Sequence, residues 1–367
     1  MDIIGRDIGD DLGPEKILLV REPRVGLEAV VVIDNIACGP AIGGVRMAPD
    51  VTVDEVYRLA RAMTYKNAAA GLPHGGGKSG IMADPACEPQ DKERLVRAFA
   101  RAIGGLTDYI PGPDMGTTEA CMAWVKDEIG RSVGLPRVLG GIPLDEIGAT
   151  GFGLAIAAEV AAAAIKLPLE GARMVVEGFG AVGQHAARFL TRRGVRLVAA
   201  SDSRGAMHDP GGLDVEALIA HKRTGSSVHS FPGHPIPADQ LIGVQCEIWI
   251  PAARPDTLTA DNVTRLRAKL VLQGANIPAT EAAEQWMHAH GVLSVPDFVA
   301  NAGGVICAAV EYHGGTEHHA LASIEEKIRS NTQETLERAR AANILPRQAA
   351  IQMARVRIEE AMRYRGH

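Results

Sequence analysis

Residues 171–194 read GARMVVEGFGAVGQHAARFLTRRG, and the fold of the whole chain turns on them. An apolar, β-branched run ends in Gly178-x-Gly180-x-x-Gly183, and an amphipathic helical pattern follows at once. That order predicts a strand, a tight turn and a helix. The first glycine permits the turn, the second lets backbone approach a pyrophosphate, and the third lets the helix pack closely on the strand. Free N–H groups at the helix start favour phosphate oxygens. Three glycines alone would be weak evidence for this. With the strand before and the helix after, dinucleotide binding is preferred over an ordinary glycine-rich strand–helix turn. Phe179, Ala181 and Val182 lie inside the fingerprint and are expected to line the cofactor with it.

The next strand, VRLVAASDS, places Asp202 at its end, where an acid can take the ribose hydroxyls. A carboxylate repels a 2′-phosphate and so points to NAD, while Ser203 and Arg204 directly after it leave NADP open. An Ala-rich helix (151–166) precedes the fingerprint. Short apolar strands follow it in CEIWIPAA, KLVLQGAN and GVLSVPDFVANAGG. Alternating strands and helices predict a parallel α/β sheet of the Rossmann type over residues 146–324. The polar, Gly- and Pro-rich stretch 205–240 reads as surface loops. Residues 1–145, with the strand VGLEAVVVIDN and two amphipathic helices, read as an α/β substrate domain. The C-terminal helices of 325–367 are expected to return to it, leaving a cleft between domains that closes on substrate.

Composition narrows the class of partner. The 367 residues carry a formal charge of −6 and no basic footprint, which argues against nucleic acid. No window reaches the ~18 uninterrupted apolar residues of a membrane span. The acidic N-terminus lacks the apolar core of a signal peptide, so a cytoplasmic protein is expected. Five cysteines, Cys38, Cys87, Cys121, Cys246 and Cys307, lie far apart in odd number, against a disulfide framework or a structural zinc site. The histidines of EYHGGTEHHA have no cysteine partner or spaced acid and read as a solvated helix end.

A second glycine-rich stretch, AAAGLPHGGGKSGI (68–81), imitates a phosphate loop. That loop needs a glycine five positions before Gly77, and Leu72 stands there; a helical pattern also precedes it where a strand is required. Lys78 is better read as a substrate group, in a glycine loop with little bulk to obstruct a ligand. Lys66 ends the preceding helix at the edge of its apolar stripe. Asp114 sits in PGPDMG, read as a rigid turn. One lysine can hold a carboxylate as a point charge. The second, beside another cation, would have a lowered pKa and exchange protons near neutrality. Taken singly, each is a solvated surface charge by default.

These residues resemble a known family. GPAIGGVRM, MTYKNAAAGLPHGGGKSG, PGPDMGTT, GATGFG, GFGAVG, IPAA, QGANIP and FVANAGGV occur in the order found in the glutamate/leucine/phenylalanine/valine dehydrogenases. The resemblance runs from about residue 15 to the C-terminus. It implies NAD(P)-dependent, reversible deamination of an L-amino acid to a 2-oxo acid and ammonia, by a homo-oligomer. It implies that Lys66 holds the α-carboxylate, that Lys78 polarises the carbonyl or activates water, and that Asp114 shuttles protons. Gly43, Gly44 and Gly112 would admit the substrate, Asn301 would align it, and Ile42, Val305 and Ala308 would surround its side chain. Thr150, Ala252, Ala253 and Asn276 would join the fingerprint and Ser203 in holding the cofactor.

Family members that take glutamate carry a lysine where this chain has Ile42, and a hydroxyl where it has Ala308. A γ-carboxylate buried there without a partner would be costly, so the pocket resembles the leucine, valine and phenylalanine type. The segments SDSRGAMHDPGGLD and TGSSVHSFPG resemble glutamate dehydrogenases and keep that alternative open. An NAD-binding sensor without catalysis is the non-enzymatic alternative, disfavoured by the presence of Lys66, Lys78 and Asp114 together. His74 departs from a position that is usually apolar, and Ala181 from the commoner asparagine.

Overall fold

The computed structural model describes residues 9–365, which form two compact units. The first comprises the residues up to 143 with 305–320 and from 353 onward; the second comprises 144–304 and 321–352.

The first unit is built on a mixed five-stranded sheet. Its strands are β1 (Lys16–Glu22), β2 (Leu27–Asn35), β3 (Ala41–Met47), β4 (Gly75–Ile81) and β5 (Tyr109–Pro113), in the spatial order β1-β2-β4-β3-β5. Helix α1 (Val53–Ala69) lies between β3 and β4 in the chain, α2 (Pro89–Ala102) precedes β5, and α3 (Glu119–Ile129) follows it. From Ala29 to Ile33 strand β2 is apolar without interruption because both its faces are covered. Val30 and Val32 pack with Val56 and Ala60 of α1. Ala29, Val31 and Ile33 pack with Phe99, Ile103 and Met122 on the other side. This is the period-2 alternation of side chains with a core on each face. Thr52 caps the start of α1, its side chain accepting a hydrogen bond from Glu55 N.

One expectation is corrected here. The stretch around Lys78, read as a loop, is the buried strand β4, hydrogen-bonded to β2 on one side and β3 on the other. Its glycines answer to crowding: a Cβ on Gly76 would lie 2.1 Å from Thr64 N of α1, and one on Gly75 would lie 1.8 Å from Asn35 O. Such contacts exclude any side chain.

The second unit holds a seven-stranded sheet behind helices α4 (Leu144–Ile147) and α5 (Ala149–Ala164). The chain continues through β6 (Arg173–Glu177), α6 (Ala181–Thr191), β7 (Arg196–Asp202), β8 (Gly205–His208), α7 (Val215–Arg223) and β9 (His234–Ile236). It then runs through β10 (Ile248–Pro251), β11 (Leu270–Leu272), α8 (Glu281–Ala289), β12 (Leu293–Val295) and α9 (Asp297–Ala300). The strand order is β12-β11-β10-β6-β7-β8-β9, parallel from β12 to β7 and antiparallel over β8 and β9. The parallel part reverses direction of winding between β6 and β10, and in such sheets ligands bind beyond the strand ends at that point.

Residues 205–240, expected as surface loops, instead supply β8, α7 and β9, which extend the sheet edge. GVLSVPDFVANAGG is a strand only as far as Val295; the rest opens helices α9 and α10 (Gly303–Tyr312). The last helices, α11 (Glu317–Ala342) and α12 (Pro346–Arg365), also divide differently from the expectation for 325–367. Residues 321–352 belong with the second unit, where Arg329 pairs with Glu159 of α5. Only the final segment belongs with the first, where Arg357 donates to the carbonyls of Ala68 and Ala69. An amphipathic pattern shows that a helix has an apolar face, not which core receives it.

Candidate active site

Lys78 projects from the middle of β4 and is 7% exposed. Its Nζ lies 2.6 Å from Asp114 Oδ2, just past the end of β5. The same oxygen accepts a 3.1 Å hydrogen bond from Arg46 Nε, and Arg46 Nη1 reaches Glu55 Oε1 at 2.5 Å. Thr117 Oγ1 accepts from Asp114 N at 3.0 Å and donates to Val45 O at 2.8 Å, which fixes the direction of Asp114. Gly44 lies against both groups: a Cβ there would be 2.8 Å from Asp114 Cβ and 3.1 Å from Lys78 Nζ. Sequence reading brought out Lys78, Asp114 and Gly44. It missed Arg46 and Thr117, each of which also has a partner about seventy residues away, Asp114 for Arg46 and Val45 for Thr117.

Burial pushes the Lys78 ammonium below the usual lysine range, against the pull of Asp114, and Arg46 pushes in the same direction as burial. Burial also pulls the Asp114 carboxyl upward. Lys78 and Arg46 outweigh it and hold Asp114 below the ordinary carboxylate range. A lysine disposed to lose its proton thus stands beside a carboxylate disposed to stay ionised, a pairing between which a proton can pass.

The other residues expected at the substrate are distributed as follows. Lys66 is in the last turn of α1, half-buried. Ile42 on β3 and Ala308 on α10 are buried, at 3% and 8% exposure, and Val305 is half-buried. Gly43 does not face the amine: a Cβ there would sit 1.7 Å from Gly77 O, so this glycine serves strand contact. Tyr109 Oη donates to Gly43 O at 3.0 Å and pairs with Ser79 Oγ at 2.9 Å. Gly112 is closed in by Val133, 3.0 Å from where its Cβ would be. His74 is fully buried, with Nδ1 3.0 Å from Pro40 O and Nε2 3.1 Å from His313 Nε2; burial holds its pKa down.

In the second unit the glycine fingerprint occupies the reversal point of the sheet. Gly178 has φ +90°, and a Cβ on it would be 2.6 Å from Ala253 Cα, so the loops after β6 and β10 meet there. A Cβ on Gly183 would strike Gly178 O at 2.1 Å. Gly180, by contrast, has open space around it, and α6 begins without a side-chain cap. Its first intrahelical bond runs from Gln184 N to Gly180 O, which leaves the N–H groups of Ala181, Val182 and Gly183 before that bond. An open glycine beside uncapped N–H groups is the cradle a pyrophosphate requires. These residues fit NAD.

Asp202 stands at the end of β7, as expected, but its carboxylate is already saturated. Oδ1 accepts from Arg204 N and Ser227 Oγ, and Oδ2 from Lys222 Nζ and Val228 N, at 2.5–2.9 Å. Together these hydrogen bonds outweigh the upward pull of burial and hold its pKa well below the ordinary carboxylate range. A ribose must share or displace one of these donors. Ser203 beside it is exposed. Thr150, in the first turn of α5, is half-buried, as is Ala252, while Ala253 and Asn276 are exposed. Asn301 Nδ2 donates toward Gly274 O, Ala275 O and Asn276 Oδ1 at 3.1–3.3 Å, while its own Oδ1 is buried without a hydrogen-bond partner. A buried acceptor left open in this way can take a donor from a water or a ligand.

Comparison with known proteins agrees with this arrangement. Residues 14–131 match the Glu/Leu/Phe/Val dehydrogenase dimerisation domain, and residues 140–366 match the Glutamate/Leucine/Phenylalanine/Valine dehydrogenase model. A glutamate dehydrogenase of Aeropyrum pernix is 39% identical over 357 residues, covering 90% of this chain and 85% of the relative. An NAD-specific glutamate dehydrogenase of Staphylococcus aureus is 36% identical over 351 residues, covering 90% and 84%. Among solved structures, the hetero-hexameric glutamate dehydrogenase from Thermus thermophilus, in its Leu-bound form, superposes with a TM-score of 0.86 at 32% identity, over 96% of this chain and 90% of that one. L-tryptophan dehydrogenase from Nostoc punctiforme does so at 0.75 and 26%, over 95% and 97%. The dinucleotide cradle and the lysine–aspartate pair thus sit in a chain that matches one family along nearly its whole length: this protein belongs to the glutamate/leucine/phenylalanine/valine dehydrogenases, and is an NAD(P)-dependent amino-acid dehydrogenase acting on CH–NH2 donors.

Proposed function

We propose that the substrate is an L-amino acid with an apolar side chain, converted reversibly to its 2-oxo acid and ammonia with NAD. The observation that carries this reading is the burial of Ile42 and Ala308, where the resemblance puts the end of the substrate side chain. A γ-carboxylate against these two would be desolvated with no partner, a cost of roughly several kcal/mol. Glutamate remains the second reading, because both curated relatives above carry that name. Residues in contact with a side chain decide selectivity more directly than overall similarity does.

In the proposed reaction Lys66 holds the α-carboxylate and Asn301 aligns the amino acid. Asp114 takes a proton from the substrate nitrogen. Bound NAD supplies the acceptor for the hydride that leaves the α-carbon, with Thr150 and Asn276 at its nicotinamide half. Lys78 then takes a proton from the water that adds to the resulting iminium, and Asp114 returns one to the nitrogen. Ammonia departs as the added hydroxyl gives up its proton and becomes the oxo group, that proton leaving with the ammonia as ammonium.

Initial rates with all twenty amino acids and their oxo acids, in both directions and with NAD and NADP, test the proposal. Turnover should be highest with leucine, valine or an aromatic amino acid. Ile42→Lys should raise kcat/KM for glutamate relative to leucine by about 10-fold or more. Glutamate as the preferred substrate of the unaltered protein overturns the pocket reading and leaves the chemistry standing. NAD binding without turnover on any of them would restore the sensor.

A homo-oligomer is also proposed. Assembly is supported by the match to a dimerisation domain and by the hetero-hexameric Thermus relative, and identical subunits are the simplest form of it. Light scattering that gives the mass of one chain would overturn it.

A further inference from the structure

Arg347, in the first turn of α12, buries its guanidinium among three side chains of the second unit. Nε donates to both Glu284 oxygens at 2.9 Å. Nη2 donates to Gln273 Oε1 at 2.8 Å and lies 2.8 Å from Asp297 Oδ1. The Phe298 ring is 5.6 Å from the guanidinium carbon. A buried ionic cluster of this kind is a weak source of stability, since desolvation offsets much of the attraction. What it does supply is fixed geometry.

The partners are the anchors of one loop. Gln273 immediately precedes Gly274-Ala275-Asn276. The other Asp297 oxygen accepts the N–H of Ile277 at 2.9 Å, directly after that loop. Ile277 has φ +48°, a left-handed conformation that a β-branched side chain resists, so something must hold it. The Asp297 carbonyl accepts Asn301 N at 2.7 Å, and Asn301 Nδ2 donates back to Asn276 Oδ1 at 3.1 Å. Pro251 O ties the start of the loop, accepting from Gly274 N and Ala275 N. Its end, and the helix that leads to Asn301, both run to Asp297 and so to Arg347.

We infer that Arg347 is a positioning residue for the dehydrogenase reaction, holding the 274–277 loop so that the carboxamides of Asn276 and Asn301 stay in register. The inference rests on the proposed roles of those two asparagines at the nicotinamide half and the substrate. Arg347 touches neither ligand itself. Its effect therefore falls on turnover more than on dinucleotide affinity, because the pyrophosphate is held at Gly178–Gly183.

The test compares Arg347→Met, Asn276→Ala and the double variant in the full-length protein, with NAD affinity from fluorescence titration and kcat from steady-state rates. Arg347→Met should lower kcat by about 10- to 100-fold, the scale of a small misplacement of reacting groups, and leave the NAD Kd within about threefold. In the Asn276→Ala background the same change should cost less than about threefold more, since the two act through one loop. An unchanged kcat in folded Arg347→Met, or losses that multiply in the double variant, overturns the inference. If Arg347→Met does not fold, Arg347→Lys decides by the same readouts: it keeps the charge but cannot span Glu284, Gln273 and Asp297 together. Asn276→Ala and Asn301→Ala separate the two layers of argument. Full activity in both removes the site reading and the inference with it; impaired asparagine variants beside a fully active Arg347 variant remove the inference alone.

Discussion

Lys78 carries its amine inside a sheet, where lysine seldom sits, and its chemistry follows from that placement. Burial and the nearby Arg46 both disfavour the ammonium, while Asp114 favours it. The result is a folded-state pKa below that of a free lysine. In the deamination proposed above the neutral amine is the form that accepts a proton, so kcat/KM should rise as pH climbs through this depressed value. Replacing Arg46 by Met removes a positive charge that opposes protonation, so the rising, acid-side limb should move to higher pH. It should also lower kcat by about 10-fold, because Asp114 loses a donor that orients it. A pH–rate profile of Arg46→Met with its limb unmoved, or moved down, would show that Arg46 does not tune Lys78. Lys78 and Asp114 were legible in the sequence because glycine and proline mark their surroundings. Arg46, Thr117 and Arg347 were not, since their meaning lies in partners up to dozens of residues away that only the fold brings near.

At the level of elements, glycine was the residue most often misread, and for one reason. Period and β-propensity register side chains, and β4 begins with three residues that have none. Its status as a strand comes from its neighbours: Thr64 of α1 and the backbone of Asn35 leave no room for a Cβ. The fingerprint glycines were read correctly because strand, turn and helix there follow one another within a dozen residues. The two kinds of glycine predict opposite outcomes. Gly76→Ala drives a Cβ into the Thr64 backbone and should cost about 3 kcal/mol of stability, seen as a large fall in Tm. Gly180→Ala has open space and an ordinary φ of −86°, so Tm should hold while NAD affinity falls by about 10-fold. Calorimetry and NAD titration on the two variants check both, and a Tm loss in Gly180→Ala would mean that the cradle is not open.

For the whole molecule, the sequence reading puts the first change of unit after residue 145 and the contacts divide the chain after Pro143, where a mixed sheet gives way to alternating strands and helices. It did not place the later crossings. The first unit recovers α10 and the last residues of α12, and the second keeps α11 and the start of α12. These helices are amphipathic in the same way, so their allegiance depends on particular contacts such as Arg357 with the carbonyls that end α1. The strand position of Lys78 has one more consequence. A catalytic group on a surface loop can be lost to local fraying while the rest of the protein keeps its shape. Lys78 pairs with Val32 of β2, and its neighbour Ser79 pairs with Val45 of β3, so heat or denaturant reaches it by dismantling the sheet that defines its unit. On the role proposed for this lysine, unfolding of the sheet and inactivation are one event.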